Sequence, residues 1–182
     1  MSRSADALES ALAGIKQETG VTAQAVTVDL AHADGIKTLM SRAGEIDILV
    51  NNAGAIPGGS LADVDDARWR QAWELKLFGY INLVREVLPQ MEKRGRGVIA
   101  NIIGMAGAAP RSEYVCGSTA NAALMAFTQA VGATSPRRGV RVFGINPSPT
   151  RSDRMEGMLR AQAAKKFNDE SRWMELTAGL PF

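Results

Sequence analysis

Cysteine is almost absent from this sequence. Cys116 stands alone among 182 residues, which excludes an internal disulfide and a cysteine metal cluster and fits a reducing cytoplasm. Histidine is just as scarce. The single His32 lies in the polar stretch "LAHADG", where it reads as a surface residue at a helix start, and it leaves little room for a metal site or a histidine-based triad. Long apolar runs are missing too: no segment approaches the roughly 18 residues of a membrane span, and "MSRSADALES" lacks the apolar core of a signal peptide. A one-sided charge is also lacking. Lys and Arg total 21 against 19 acidic residues, a net +2, too small to imply nucleic acid or an anionic membrane. The "EKRGRG" cluster at 92–97 is a solvated helix end. Repeats, low-complexity tracts and interdomain linkers are absent, so one domain over residues 1–182 is the expectation.

What is present is an alternation of helical and extended patterns. "SADALESALAGIKQETG" places apolar residues at Ala7, Leu8, Leu12 and Ile15, with Ser4 as N-cap and Gly20 as stop. "VTAQAVTVDL" alternates like a strand. "ADGIKTLMSRAG" reads as a short helix, and "IDILVNNAG" as a buried strand entering a glycine turn. The stretch from 65 to 95 reads as one long helix starting at Asp65 or Asp66 and closed by Gly95. "GVIANIIG" is a second apolar strand, residues 113–134 a helix, and "GVRVFGIN" a last strand, followed by helical stretches over 153–165 and 168–178. Strands without a polar face, spaced by helices, predict an α/β fold with a parallel sheet covered on both sides. Ligands then bind beyond the carboxyl ends of the strands. Those ends carry Asp29-Leu30, Asn51-Asn52-Ala53-Gly54, Gly104-Met105-Ala106-Gly107 and Asn146-Pro147-Ser148-Pro149.

In this order and at this spacing, "DILVNNAG", "VIANIIGMAG", a tyrosine opening the next helix and "GVRVFGINPSP" resemble the short-chain dehydrogenase/reductase family over almost the whole chain. The resemblance implies a Rossmann-like, doubly wound parallel sheet with helices on both faces. It also implies NAD or NADP as cofactor, a small alcohol or ketone as substrate, and a homo-oligomer formed through the long helices. On this resemblance Asp29 contacts the adenine, Asn51, Ala53 and Gly54 line the adenosine ribose and brace the central strands, and Pro147 and Ser152 lie by the nicotinamide. Arg3 stands where the family often reads the NADP phosphate.

The chain also departs from the pattern. The family opens on a strand and a Thr-Gly-x-x-x-Gly-x-Gly turn that holds the pyrophosphate. This sequence resembles the family from just after its second strand, so the expected sheet lacks the first two strands and the last. "GAIPGGS" at 54–60 follows the wrong strand and lacks the final glycine to replace that turn. With the first two strands missing, "VTAQAVTV" has no neighbour through which to reach "IDILV". Open strand edges and apolar faces in mid-domain predict a chain that is poorly soluble or binds a partner.

At the active site the resemblance implies hydride transfer, with a tyrosine exchanging the proton. A free phenol titrates near 10, so a neighbouring cation must help it at neutral pH. The family's Tyr-x-x-x-Lys puts both groups on one helix face. Here Tyr114 meets Ser118 at that step, and Ser118 carries no charge. The family's serine falls near Gly104, and the stretch from there to Tyr114 is about three residues short. Ser112 is an alternative hydroxyl. Lys76 stands where the family usually has asparagine, flanked by apolar Leu75, Leu77 and Phe78, which makes it a candidate to supply the missing charge from another helix; a surface lysine is the bland alternative. Asn121 is placed to reach the cofactor ribose or to pack the helix. Trp69, Trp73, Phe78 and Tyr80 read as core or interface. Met155, Met158 and Leu159 read as the apolar side of a lid helix, and methionine adapts to many ligand shapes.

Two function classes follow. One is an NAD(P)-dependent oxidoreductase with catalytic candidates Tyr114, Lys76 and Ser118. The other is a catalytically inactive relative that serves as a binding or assembly subunit. A flavodoxin-like signalling domain lacks support, because no acidic phosphorylation pocket is evident.

Overall fold

Three short strands pair in parallel in the order β1 (Ile48–Asn51), β2 (Gly97–Ile102), β3 (Val140–Ile145). The structure, a computed structural model, describes residues 1–178, so positions 179–182 of the expected 1–182 domain lie outside the described residues. Register is tight: Leu49 faces Ile99 and Asn51 faces Asn101, while Ile99 faces Val142 and Asn101 faces Gly144. The fold is a Rossmann-like α/β arrangement.

Helices α1 (Ala5–Thr19) and α2 (Ala33–Ala43) precede the sheet. Helix α1 follows its sequence signals closely. Ser4 accepts a hydrogen bond from the Ala7 amide, and Gly20 ends the helix at φ 71°, a left-handed value that glycine adopts at no steric cost. His32 stands at the N-cap position of α2. Residues 21–28 depart from the expected strand: among the described residues they pair only through an isolated bridge of Thr27 to Ser2, with the Val28 amide donating to the Ser2 carbonyl. A strand needs a ladder along its length, and this segment has a neighbour at one point.

The helical stretch from 66 to 94 is not uniform. Asp65 caps α3 (Asp66–Trp73) by accepting from the Arg68 amide, a π turn occupies Glu74–Phe78, and α4 (Gly79–Arg94) runs on to Gly95. A π turn inserts one residue and changes which side chains face inward, and such turns recur at functional sites. Lys76 lies in the middle of it, half-buried. After β2 come a short 3₁₀ turn (Met105–Gly107) and α5 (Val115–Gly132), with Tyr114 at the N-cap position. A 3₁₀ turn (Ser135–Arg138) leads into β3, and α6 (Asp153–Phe167) and a 3₁₀ helix (Glu170–Thr177) follow.

Side chains alternate across a strand, and the two faces of this sheet differ. Leu49, Ile99 and Val140 point to one side and are buried with Leu83, Val84, Val87 and Met91 of α4 and Ile36 of α2. Each such side chain contributes roughly 1.5–3 kcal/mol on burial. The opposite parity carries Ile48, Val50, Phe143 and Ile145, which remain 64%, 51%, 43% and 45% exposed. Among the described residues no helix is long and apolar enough to cross a membrane.

Candidate functional site

Beyond the carboxyl ends of β2 and β3, a cleft of ≈ 300 Å³ opens between the 103–106 turn, the start of α5, the 147–150 turn and α6. Lys76, Gly104, Tyr114, Asn121, Pro147, Ser152, Met155 and Met158 all line it. A larger cavity of ≈ 830 Å³ beside it is lined by Arg3, Asp29, His32, Gly54 and Arg68 among others. Gly54 and Lys76 sit where the two adjoin: a Cβ on Gly54 would lie 3.1 Å from the lysine Cδ. Bulk at residue 54 therefore presses directly on the lysine.

Lys76 is aimed by the π turn. Its Nζ donates to the Ile103 carbonyl at 2.9 Å and to the Ile102 carbonyl at 3.4 Å, and lies 5.7 Å from the centre of the Tyr80 ring. The Tyr80 hydroxyl donates to the same Ile102 carbonyl at 3.0 Å. Tyr80 is 1% exposed, and that burial pushes its phenol far above the ordinary range. The second tyrosine is thus a core residue, not a rival proton carrier.

Tyr114 is half-buried, its ring packed against the cluster of Ile56, Ala72, Cys116 and Ala120. Its backbone is held from two sides: its amide donates to the Arg111 carbonyl at 3.0 Å, and the Gly59 amide donates to the preceding Glu113 carbonyl at 2.8 Å. Ser118 does not join it in the cleft. That serine is 4% exposed, and its hydroxyl accepts from the Arg111 amide at 3.1 Å. Four residues along a helix bring two side chains to one face, but Tyr114 is the cap rather than the first helical residue, so the step fails here. Ser112 is exposed and is not among the cleft-lining residues.

Asn121 does line the cleft. Its Nδ2 donates to the Gly104 carbonyl at 3.4 Å, while its Oδ1 is buried without a hydrogen-bond partner in a residue only 3% exposed. An orphaned buried acceptor is uncommon and costs about 1–3 kcal/mol. Gly104 itself sits at φ 131°, a conformation L side chains rarely adopt. A serine there would strain the backbone and crowd Asn121 Nδ2, 3.0 Å from an added Cβ.

The remaining expected positions are distributed as follows. Asn51 is buried, its Nδ2 donating to Asn101 Oδ1 at 2.9 Å, and Asn101 donates on to the Thr128 hydroxyl at 2.9 Å. It braces the strands and lies away from both cavity linings. Ala53 packs on the main core. Asp29 faces the larger cavity, accepting from the Ala31 amide at 2.9 Å and lying 3.9 Å from Arg3. The Pro147 carbonyl accepts from the Met105 amide, and Ser152 caps α6 through the Met155 amide.

A short chain dehydrogenase family model matches residues 1–163. The chain belongs to the short chain dehydrogenase family. The 7alpha-hydroxysteroid dehydrogenase of Escherichia coli K12 is 30% identical over 155 residues, covering 83% of this chain and 60% of that enzyme. The cis-4-hydroxycyclohexanecarboxylate dehydrogenase of Sinomonas cyclohexanicum is 32% identical over 136 residues, covering 72% and 55%. Among solved structures, L-sorbose reductase from Gluconobacter frateurii, complexed with NADPH and L-sorbose, superposes with a TM-score of 0.84 at 26% identity, covering 97% of this chain and 69% of that one. The chain thus spans less than two thirds of the length of these curated relatives.

Within this family the cleft contains more than the sequence pointed to. Arg111, Glu113 and Gln162 also line it, and none belongs to a motif. Gly117 belongs to no motif either, yet its missing side chain leaves room for the Tyr114 ring.

Proposed function

We propose that this chain forms the catalytic part of an NAD(P)-dependent oxidoreductase that interconverts a small alcohol and its ketone, with Tyr114 exchanging the proton. The observation that carries this is the convergence of Tyr114, Lys76 and Asn121 on one cleft beyond the strand ends. The residues present suit a nicotinamide cofactor: the orphaned Asn121 Oδ1 is an acceptor for a ribose hydroxyl, and the ≈ 830 Å³ cavity is large enough for an adenosine half. Asp29 and Gly54 would hold the adenosine end, and Asn121, Pro147 and Ser152 the nicotinamide end. When bound, that group supplies or accepts the hydride.

The chain's own residues do the rest. Lys76 brings a positive charge to the cleft wall, and Tyr114 exchanges a proton with the substrate oxygen. Met105, Met155 and Met158 form the cleft's apolar wall. The relatives' names span a steroid, a cyclohexane carboxylate and a sugar, so the fold does not select the substrate; the methionines favour a small apolar one. The half-exposed Phe78 on the π turn supports association of the long helices in a homo-oligomer, and the lone cysteine suits a reducing cytoplasm.

The test is a fluorescence titration with NADH and NADPH, followed by turnover against a panel of small aliphatic and cyclic ketones. Saturable binding is expected, with Tyr114→Phe retaining affinity and losing turnover. An absence of saturable binding, or full turnover by Tyr114→Phe, would defeat the proposal.

A further inference from the structure

Gly117 lies inside α5, buried, one turn after Tyr114. Its φ is not in the left-handed region, so the backbone does not require glycine there. Within a helix glycine is disfavoured relative to alanine, and some other demand must explain it. The surroundings supply that demand. An added Cβ would fall on the Tyr114 ring at Cζ and Cε1, and 2.6 Å from its hydroxyl oxygen.

We infer that Gly117 is a positioning residue: the space where a side chain at 117 would stand is the seat that the Tyr114 phenol occupies. The tyrosine is anchored three residues earlier, but its hydroxyl is delivered to the helix position that lies four residues before Asn121. This rests on the reading of Tyr114 as proton carrier and goes beyond it by naming what places the phenol. Ser118, next in sequence, holds the Arg111 amide, and the Gly59–Glu113 bond fixes the other side of the cap. The hinge and the seat of the tyrosine are thus both built.

The protein has two tyrosines, so fluorotyrosine labelling gives two ¹⁹F resonances, and Tyr80 in the core serves as an internal reference for folding. In the wild-type background, Gly117→Ala is expected to lower the Tm and move the Tyr114 resonance toward the free amino-acid position, with Tyr80 unmoved. In a Tyr114→Ala background the same change is expected to raise the Tm, because the helix gains alanine and loses no ring. That reversal of sign supports the seat; a rise in both backgrounds, or an unmoved Tyr114 resonance, overturns it. Should Gly117→Ala fail to fold, recovery on adding Tyr114→Ala supports the seat and lack of recovery overturns it. The exchange variant Tyr114→Ala/Gly117→Tyr is expected to keep NAD(P)H-dependent turnover within tenfold of wild type where Tyr114→Ala alone loses it. If Tyr114→Phe leaves turnover intact, the proton-carrier reading falls, while the Tm reversal and the resonances still judge the seat independently.

Discussion

Replacing Lys76 by methionine separates its two roles, as a tether and as a charge. The ammonium bonds the Ile103 carbonyl at 2.9 Å and the Ile102 carbonyl at 3.4 Å. A hydrogen bond from a charged donor contributes about 1.5–3 kcal/mol. The longer bond is the weaker, and the Ile102 carbonyl retains the Tyr80 hydroxyl, so losing it costs little. The approach to the Tyr80 ring adds about 0.5–1 kcal/mol. Methionine preserves the aliphatic packing on Gly54 and relieves the desolvation of a half-buried charge, which offsets part of the loss. The net is about 2 kcal/mol, or a Tm lowered by about 4–8 °C for a chain of this size. Turnover is expected to fall by about 10²–10⁴, the range of general acid–base contributions, with NAD(P)H affinity changed little. Thermal denaturation and steady-state assays on Lys76→Met and Lys76→Arg decide the matter. Wild-type turnover in Lys76→Met refutes the electrostatic role, and an unchanged Tm refutes the tether.

Asn101→Ala breaks both bonds of the Asn51–Asn101–Thr128 chain; stranding those two buried partners costs about 2–6 kcal/mol, readable as a fall in the urea midpoint, and a loss below about 1 kcal/mol would contradict the bracing role. Ile48→Lys with Phe143→Lys is expected to reduce self-association in sedimentation velocity without lowering the Tm, since both side chains are exposed in the folded chain; an unchanged sedimentation profile would show that the bare sheet face is not adhesive. Asp63 is held at about 2, below its ordinary 3.8, by the Ser60 amide, then the Ser60 hydroxyl, and Lys165 of α6. A depressed folded value means the contribution is present above about 3.8 and lost as the pH falls toward 2. The protection factor of α6 against hydrogen exchange, with the intrinsic pH dependence divided out, should therefore fall over that window in wild type and stay flat in Asp63→Asn.

The helix limits were legible because caps act locally. Ser4, Gly20, Asp65 and Gly95 end their helices where the residue types say they should. The three strands were legible because burial on a parallel sheet leaves an apolar run. Residues 21–28 have the same β-branched composition, but pairing is a long-range event and there they meet a partner at one residue. The π turn was hidden for a related reason: its side chains fit a regular helix equally well, and the contacts that accompany the wider turn, Lys76 on the Ile102 and Ile103 carbonyls among them, are long-range.

The site divides along the same line. Residue order alone determined the family and the strand-end segments and singled out Tyr114 and Lys76 as candidates, since motif spacing is a property of the chain. Tertiary structure decided which neighbour Tyr114 has. Counting four residues pointed to Ser118, but the tyrosine's cap geometry turned its ring over Gly117, while Ser118 went to the Arg111 amide and Asn121 took the cleft. Spacing records which residues are near along a helix; which one a ring packs on depends on the space left by side chains that are absent.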